Sequence, residues 1–169
     1  MRAKKFTAAM VLAAIAAVGF APLASAATRP TTAQKLQLQY LVEEEKLARD
    51  VYLYLAENVT TAKFANIAKS EQTHMDQISA LLKKYNFFNP TTTRAEGVFR
   101  DKSLQALYNT LIAQGSVDVA AAMQVGRDIE NLDIKDLQVM LKATMPADMK
   151  LALENLLKGS RNHLAAFSR

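Results

Sequence analysis

The segment Ser70-Glu71-Gln72-Thr73-His74-Met75 lies within a long stretch of helical periodicity and decides how the chain folds. Residues three apart share one face of a helix, so Glu71 and His74 point the same way. Apolar residues at helical spacing share that face: Phe64, Ile67, Ile78, Leu81 and Tyr85. A carboxylate and an imidazole in an apolar core are costly unless paired, and a metal ion is their usual partner in helical bundles. The segment therefore predicts a core helix that carries metal ligands.

Four long stretches show helical periodicity, and no segment shows convincing strand alternation. The predicted helices are A (residues 32–58), B (62–85), C (from about 116) and D (from about 146). Between B and C lie a polar connection at 86–100 and a short helix, capped by Asp101 and ended by Gly115. So long a connection lets B and C run parallel in a crossed-over bundle. The sequence thus predicts an all-α fold.

Each long helix carries a possible metal ligand on its inward face. These candidates are Glu45 on helix A, Glu71 and His74 on B, Glu130 on C and His163 on D. Carboxylates can bridge two metals and imidazoles bind one, a mixture that suits iron or manganese, and also zinc. Carboxylate-bridged bundles combine a Glu from each of two helices with Glu-x-x-His from each of the other two. Helix D has Ser160 in place of the second such Glu, so the site holds one metal or two.

Two further acidic residues have alternative interpretations. Glu45 ends the run Glu43-Glu44-Glu45; such a run is usually a solvated face, and Glu44 is the alternative inward member. Asp133 follows Glu130 by three residues and would supply a carboxylate if helix C continues through it. Alternatively, Asp133 is the N-cap of a further helical segment that starts at Asp-Ile-Lys-Asp and runs through about residue 142.

A metal-free core and a copper site are two alternative interpretations of these residues. Glu71 and His74 could form a buried hydrogen-bonded pair, and His163 could be a satisfied core histidine, which would make the chain a helical interaction domain. Copper could bind through thioethers near the histidines, those of Met75, Met140, Met145 and Met149, although methionines at helical spacing usually fill cores. Tyr52 and Tyr85 are predicted as core residues, either of which could hydrogen-bond a ligand.

The N-terminus has the pattern of a secretory signal peptide at residues 1–26. Arg2, Lys4 and Lys5 precede an apolar run that ends in Ala24-Ser25-Ala26. Without these basic residues the net charge falls from +5 to near +2, and no basic patch for nucleic acid is visible. The chain has no cysteine, which excludes disulfides, thiolate ligands and a lipid anchor. We expect a periplasmic or secreted protein that binds neither nucleic acid nor, after cleavage, the membrane.

Several motifs resemble a known family. Residues 45–53 (E-K-L-A-R-D-V-Y-L) look like the first-helix segment of ferritins, in which Glu45 matches a metal ligand and Tyr52 a tyrosine. The wider pattern of residues 64–75, 97–99, 129–137 and 154–167 is similar to the ferritin-like "domain of unknown function 2202" family. This resemblance spans about residues 38–167 and implies a ferritin-like four-helix bundle. It supplies no activity.

The sequence thus predicts three parts: a signal peptide (1–26), a lead-in (27–37) and a ferritin-like bundle (38–169). We expect iron, or else manganese or zinc, in the core of the bundle. The predicted chemistry is oxidation of Fe(II) by oxygen or peroxide. Glu71 or Glu130 would bridge, His74 and His163 would be terminal ligands, and Glu45 would complete one metal. A non-enzymatic metal-binding role is the alternative, and a homo-oligomer is compatible with the sequence.

Overall fold

A computed structural model describes residues 29–59 and 61–169, and the predicted signal peptide lies outside these residues. The described chain is all-α, as predicted, with five helices and no strand. The helices are α1 (Thr32–Asn58), α2 (Ala62–Lys84), α3 (Lys102–Gly115), α4 (Val119–Met140) and α5 (Ala147–Phe167). Among the described residues, no helix is long and apolar enough to cross a membrane.

Short polar side chains fix where most helices begin. Thr31 caps α1 in a capping box with Gln34, and Thr61 caps α2. Asp101 caps α3, as predicted, by accepting hydrogen bonds from the N–H groups of Ser103 and Leu104.

Helix α4 differs from the prediction at both ends. It begins at Val119 rather than near residue 116, because Asp118 accepts the capping hydrogen bond from Ala121 N–H. It then continues without a break to Met140, so the prediction that Asp133 is an N-cap is wrong. Asp133 lies in the interior of the helix and is fully buried. A cap must sit where free N–H groups are available, and an unbroken helix leaves none there.

Two apolar clusters form the core. The first contains residues 47–55 of α1, 64–68 of α2, 122–129 of α4 and the last turn of α5. The second contains residues 38–42 of α1, 78–82 of α2, 137–140 of α4 and 149–156 of α5. Along the chain, α2 and α4 both pass from the first cluster to the second, whereas α1 and α5 pass from the second to the first. Helices α2 and α4 therefore run in the same direction, as the long connection predicts.

A buried polar layer separates the two apolar clusters. Every long helix contributes to it at the level where its apolar residues change cluster. The polar layer consists of Glu44, Glu45, Glu71, His74, Glu130, Asp133, Ser160 and His163. Helix contacts join α1 to α2, α4 to α5, α2 to α5 and α1 to α4, so the layer is enclosed on its sides by helices.

The connection between α2 and α3 is held against α1 by a second polar group, here called the loop-binding cluster: Glu43, Lys46 and Asp50. Glu43 accepts hydrogen bonds from the backbone N–H groups of Arg100 and Asp101. Lys46 and Asp50 form a buried ion pair. Lys46 also donates to the carbonyl of Ala95, and Asp50 accepts from the N–H of Gly97.

The run Glu43-Glu44-Glu45 is therefore not a solvated face, as such a run usually is. The three residues are 4%, 1% and 0% exposed. The loop covers Glu43, while Glu44 and Glu45 belong to the polar layer.

Candidate metal centre

Two groups of three side chains converge in the polar layer. Glu45, Glu71 and His74 form one group, and Glu71, Glu130 and His163 form the other. In each group the potential ligand atoms lie within 4.8 Å of one another. All five residues that the sequence singled out as candidate ligands are thus brought together. Glu71 belongs to both groups.

The two oxygens of Glu71 face different histidines. His74 Nδ1 lies 2.8 Å from Glu71 Oε2 and 3.2 Å from Glu45 Oε2. His163 Nδ1 lies 2.6 Å from Glu71 Oε1 and 3.5 Å from Glu130 Oε1. The two imidazole rings are stacked with their centroids 5.5 Å apart. Each histidine therefore directs its Nδ1 at two carboxylates. One belongs only to its own group, and the other is Glu71, which belongs to both groups.

Most carboxylate oxygens of the polar layer have no hydrogen-bond partner. Among the described residues, buried side-chain polar atoms without such a partner occur on Glu44, Glu45, Glu71, Glu130, Asp133 and His163. Glu71 and His163 are included although His163 Nδ1 lies 2.6 Å from Glu71 Oε1. Buried polar groups are normally paired, and an unpaired buried carboxylate is strongly unfavourable. Atoms that are close together but do not bond to one another are typical of ligands directed at a common ion.

Burial raises the pKa values of the carboxyl groups in the site, whereas contacts with the histidines lower them. Burial raises the pKa of Glu45 to about 7 and that of Glu130 to about 7, although contacts with the histidines oppose the rise. Burial also acts to raise the pKa of Glu71, but His163 and His74 outweigh it and lower this pKa to about 2.

The carboxylates in turn raise the pKa values of the two histidines. Burial acts to lower their pKa values, but the facing carboxylates raise the pKa of His74 to about 10 and that of His163 to about 9. These pKa values favour protonated imidazoles and an ionised Glu71. A metal ion at these atoms would have to displace the protons, so its affinity would rise with pH.

Glu44 and Asp133 lie beside the two groups but belong to neither. Burial raises the pKa of Glu44 to about 8, helped by the charges of Asp136 and Glu45. Burial likewise raises the pKa of Asp133 well above its usual value, helped by the charges of Glu45 and Glu44. Asp133 therefore stands close to both groups of candidate ligands, even though it is not a member of either.

Three neighbours orient the candidate ligands. Tyr52, predicted as a core residue able to bond a ligand, is buried and donates its hydroxyl to Glu130 Oε1 at 2.7 Å. Ser70 Oγ lies 3.0 Å from His163 Nε2, which fixes the ring and leaves Nδ1 facing the carboxylates. Gly159 packs against His74, because a Cβ there would lie 2.3 Å from Nε2.

Sequence reasoning missed Ser70 and Gly159. A glycine inside a helix is a usable signal, since it is unfavourable there unless close packing requires it. Nothing about Ser70 distinguishes it from any other helix serine.

The position of Ser160 bears on whether the site can hold one metal or two. Ser160 does take the place of a second inward Glu on α5, and its hydroxyl bonds to the carbonyl of Leu156. Because Glu71 is shared, however, each group still has two carboxylates and one imidazole.

Three of the four methionines of the copper hypothesis lie in one apolar cluster, whereas Met75, next to His74 in the chain, is buried but belongs to neither cluster. Met140, Met145 and Met149 pack among leucines in the second apolar cluster. They fill the core rather than joining the polar layer, in keeping with the common role of methionine. The donors that face the centre of the layer are oxygen and imidazole nitrogen.

Such buried acidic and histidine groups could hold a metal ion. Comparison with known proteins places the chain among relatives of unknown activity. A family model described as "Uncharacterized protein domain (DUF2202)" matches residues 34–169. The uncharacterized protein MJ0754 of Methanocaldococcus jannaschii is 48% identical over 127 residues, which cover 75% of this chain and 69% of that protein.

A solved structure of the same relative is also similar to this chain. The crystal structure of hypothetical protein MJ0754 from Methanococcus jannaschii DSM 2661 matches with a TM-score of 0.80 at 44% identity. The match covers 85% of this chain and 83% of that one. The chain belongs to the DUF2202 family, as its motifs predicted.

Proposed function

We propose that this protein is an exported, ferritin-like metal-binding protein whose buried centre binds iron and oxidises Fe(II) with oxygen or peroxide. One observation carries the proposal: buried carboxylate oxygens without hydrogen-bond partners converge with two histidines between two apolar clusters. A chain that placed these groups for hydrogen bonding alone would leave fewer of them unpaired.

The donor set fits two metal ions that share Glu71. Glu45 and His74 would complete one position, and Glu130 and His163 the other. Carboxylates and imidazoles without thiolates suit iron or manganese, and also zinc. The excess of carboxylate over imidazole favours iron or manganese, because hard oxygen donors stabilise the higher oxidation state that oxidation produces. Of the two, we propose iron.

The residues of the chain hold ligands in place and exclude water. Tyr52 orients Glu130 and Ser70 orients His163, while the apolar clusters close the layer above and below. Iron held by these residues would supply the redox chemistry, since oxidation of two Fe(II) ions provides the two electrons that, with two protons, reduce one hydrogen peroxide to two waters. The histidines hold protons in the metal-free state and release them when their nitrogens become ligands.

Two broader parts of the proposal have separate support. The ferritin-like bundle is supported by the parallel course of α2 and α4 across a long connection, which is one of the known four-helix topologies. Export is supported by the charged start, apolar run and Ala24-Ser25-Ala26 end of the N-terminal segment. N-terminal sequencing of protein recovered from outside the cytoplasm would test export on its own.

Metal content and Fe(II) oxidation test the central claim. We expect about two metal ions per chain in anaerobic titration with Fe(II), and formation of Fe(III) on addition of peroxide or oxygen. Glu71→Ala should abolish tight binding at both positions, whereas His74→Ala should impair one. Glu57→Ala, at an exposed position of α1, is the control and should bind as the wild type does. If Glu71→Ala binds Fe(II) as tightly as the wild type does, the metal is bound by other residues.

The same experiment separates the alternative functions. Bound zinc or copper with no turnover of Fe(II) would support a non-enzymatic metal-binding protein. Absence of any tightly bound metal in the wild type would support a metal-free interaction domain.

A further inference from the structure

A cleft of about 350 Å³ opens between α1 and α4, next to the polar layer. Its two carboxylates are Glu44 and Asp136. Its remaining lining is mostly apolar and includes Leu36, Leu41, Val139 and Met140. Asp136 is half-buried and borders the solvent, whereas Glu44 is only 1% exposed. The cleft therefore leads from solvent to a buried carboxylate.

Carboxylates continue from the cleft towards the candidate metal centre. Glu130, Asp133 and Asp136 follow one another at intervals of three residues, so each lies beside the next on the surface of α4. Asp133 is fully buried, and the charges of both Glu44 and Glu45 act on it. The series thus joins the solvent-facing Asp136 to Glu130, a member of the centre, with Asp133 and Glu44 between them.

Glu44 and Asp133 have no other structural role that accounts for their burial. Both oxygens of each lack a hydrogen-bond partner among the described residues. Neither residue belongs to the two groups of candidate ligands. Their neighbour Glu43 contrasts with them, because its carboxylate binds the backbone of the α2–α3 connection. Two unpaired, buried carboxylates between a cleft and a metal centre are suited to a cation in passage.

We propose that Glu44 and Asp133 form a transit site through which divalent metal ions pass from this cleft to the centre. The inference rests on the proposed function, because it requires a metal-binding centre at the inner end. Apolar walls strengthen the attraction of a cation to the carboxylates, and such focusing raises association rates by roughly 10- to 1,000-fold. A transit site changes how fast the centre fills and empties, but not how much metal it holds at equilibrium.

Loading of Co(II) into the metal-free protein tests the proposal, followed by stopped-flow absorbance, with equilibrium content measured by metal analysis. We expect Glu44→Gln and Asp133→Asn each to slow loading about tenfold, at the lower end of such focusing effects, with unchanged equilibrium content. Asp136→Asn, at the half-buried mouth, should slow it less. Asp128→Asn removes the same charge from an exposed position of α4 and should load as the wild type does.

Each other outcome overturns the proposal. Loading of Glu44→Gln at the rate of Asp128→Asn, with helical content intact, would exclude a transit role. A loss of Co(II) at equilibrium in Glu44→Gln and Asp133→Asn would make both residues ligands of the centre instead. If the wild type retains no Co(II) at equilibrium, the proposed function fails as well, whereas failure of the transit site alone leaves wild-type binding intact. Asp136→Asn keeps the test valid if the buried variants do not fold.

Discussion

Glu43 and Glu44 are adjacent in the sequence and equally buried, yet they belong to two polar regions that differ in how their charges are satisfied. In the loop-binding cluster, Glu43 accepts backbone hydrogen bonds, and Asp50 is paired with Lys46 and Arg49. In the polar layer, both oxygens of Glu44 are unpaired. Helix α1 thus carries buried charges that all have partners and, next to them, a buried carboxylate that has none.

The difference separates structural charge from functional charge. Buried ion pairs with full hydrogen bonding fix a conformation, and the loop-binding cluster fixes the α2–α3 connection against α1. Unpaired buried carboxylates do nothing for the metal-free fold and are unfavourable in it. Several of them in one layer are what we expect of a chain that binds a cation there. Breaking each region should have opposite consequences for stability.

Among single substitutions, the largest expected effect is in the loop-binding cluster. Asp50→Ala should destabilise the protein by about 3–5 kcal/mol, because it leaves the buried Lys46 without its carboxylate and Gly97 N–H without its acceptor. Urea unfolding measures the loss, with Asp128→Ala at an exposed position as the control. Equal stability of the two variants would mean that the ion pair is not structural.

The pH dependence of the metal-free protein should reveal the polar layer. Burial raises the pKa values of Glu44, Glu45 and Glu130 from 4.5 to about 8, 7 and 7. A raised carboxyl pKa contributes stability that is full below pH 4.5 and is lost as the pH rises through the folded value. Each retained proton corresponds to about 1.4 kcal/mol per pH unit. One such group alone lowers the stability by about 2–3 kcal/mol between pH 5 and pH 7, so we expect the three together to lower it by more than this.

The histidines extend this trend, and Glu71 opposes it only in acid. The raised pKa values of His74 and His163 contribute stability that is full below pH 6.5 and is lost through about pH 9–10. The lowered pKa of Glu71 contributes stability that is lost only as the pH falls from 4.5 towards 2. Unfolding in the presence of a chelator at pH 5, 6 and 7 tests the direction. A metal-free protein more stable at pH 7 than at pH 5 would contradict it, and saturating metal should flatten or reverse the slope.

The sequence predicted the helices well because the signals that determine them are local. Threonine and aspartate caps, a polar connection and helical periodicity locate α1, α2, α3 and α5 to within about a residue. The same kind of signal failed at Asp133, since an aspartate that precedes a helical pattern looks like a cap whether or not the helix is already under way. Only packing between helices distinguishes the two cases.

The identity of the candidate ligands was predictable, but their arrangement was not. Spacing places Glu71 and His74 on one face, as it does the inward residues of the other helices. That Glu71 belongs to both groups depends on distances between α2, α4 and α5, which no single-helix pattern contains. The burial of Glu43 could not be predicted either, because it depends on where the α2–α3 connection, distant in the sequence, packs against α1.

Substitution of neighbouring glutamates by methionine, which conserves volume, compares the two regions directly. Glu43→Met should destabilise the protein by about 1.5–3 kcal/mol, the usual loss for a charged hydrogen bond. Glu44→Met should leave the metal-free protein unchanged or stabilise it by about 1–3 kcal/mol, because an unpaired buried carboxylate is replaced by an apolar side chain. Urea unfolding with chelator measures both. Equal destabilisation by the two substitutions would remove the distinction between the regions.

The smallest effect concerns the glycine that supports His74. A Cβ at residue 159 would lie 2.3 Å from His74 Nε2 and 2.5 Å from Cε1, so Gly159→Ala must displace the imidazole from Glu45 and Glu71. Overpacking costs about 1–3 kcal/mol, but alanine gains about 1 kcal/mol of helix propensity, so the net change in stability should be small. Metal affinity should fall at least about tenfold, as it does when support of a ligand is lost.

Gly115→Ala provides the matched control for this substitution. Its Cβ would meet Leu55 Cδ2 at 2.8 Å, which is also shorter than real Cβ contacts, but within the first apolar cluster. It should therefore alter stability without altering the titration with Co(II). Because both substitutions add one methyl group to a crowded helix, only the polar layer distinguishes them. If Gly159→Ala binds Co(II) as tightly as Gly115→Ala does, His74 is not held in place by this contact, or it does not bind the metal.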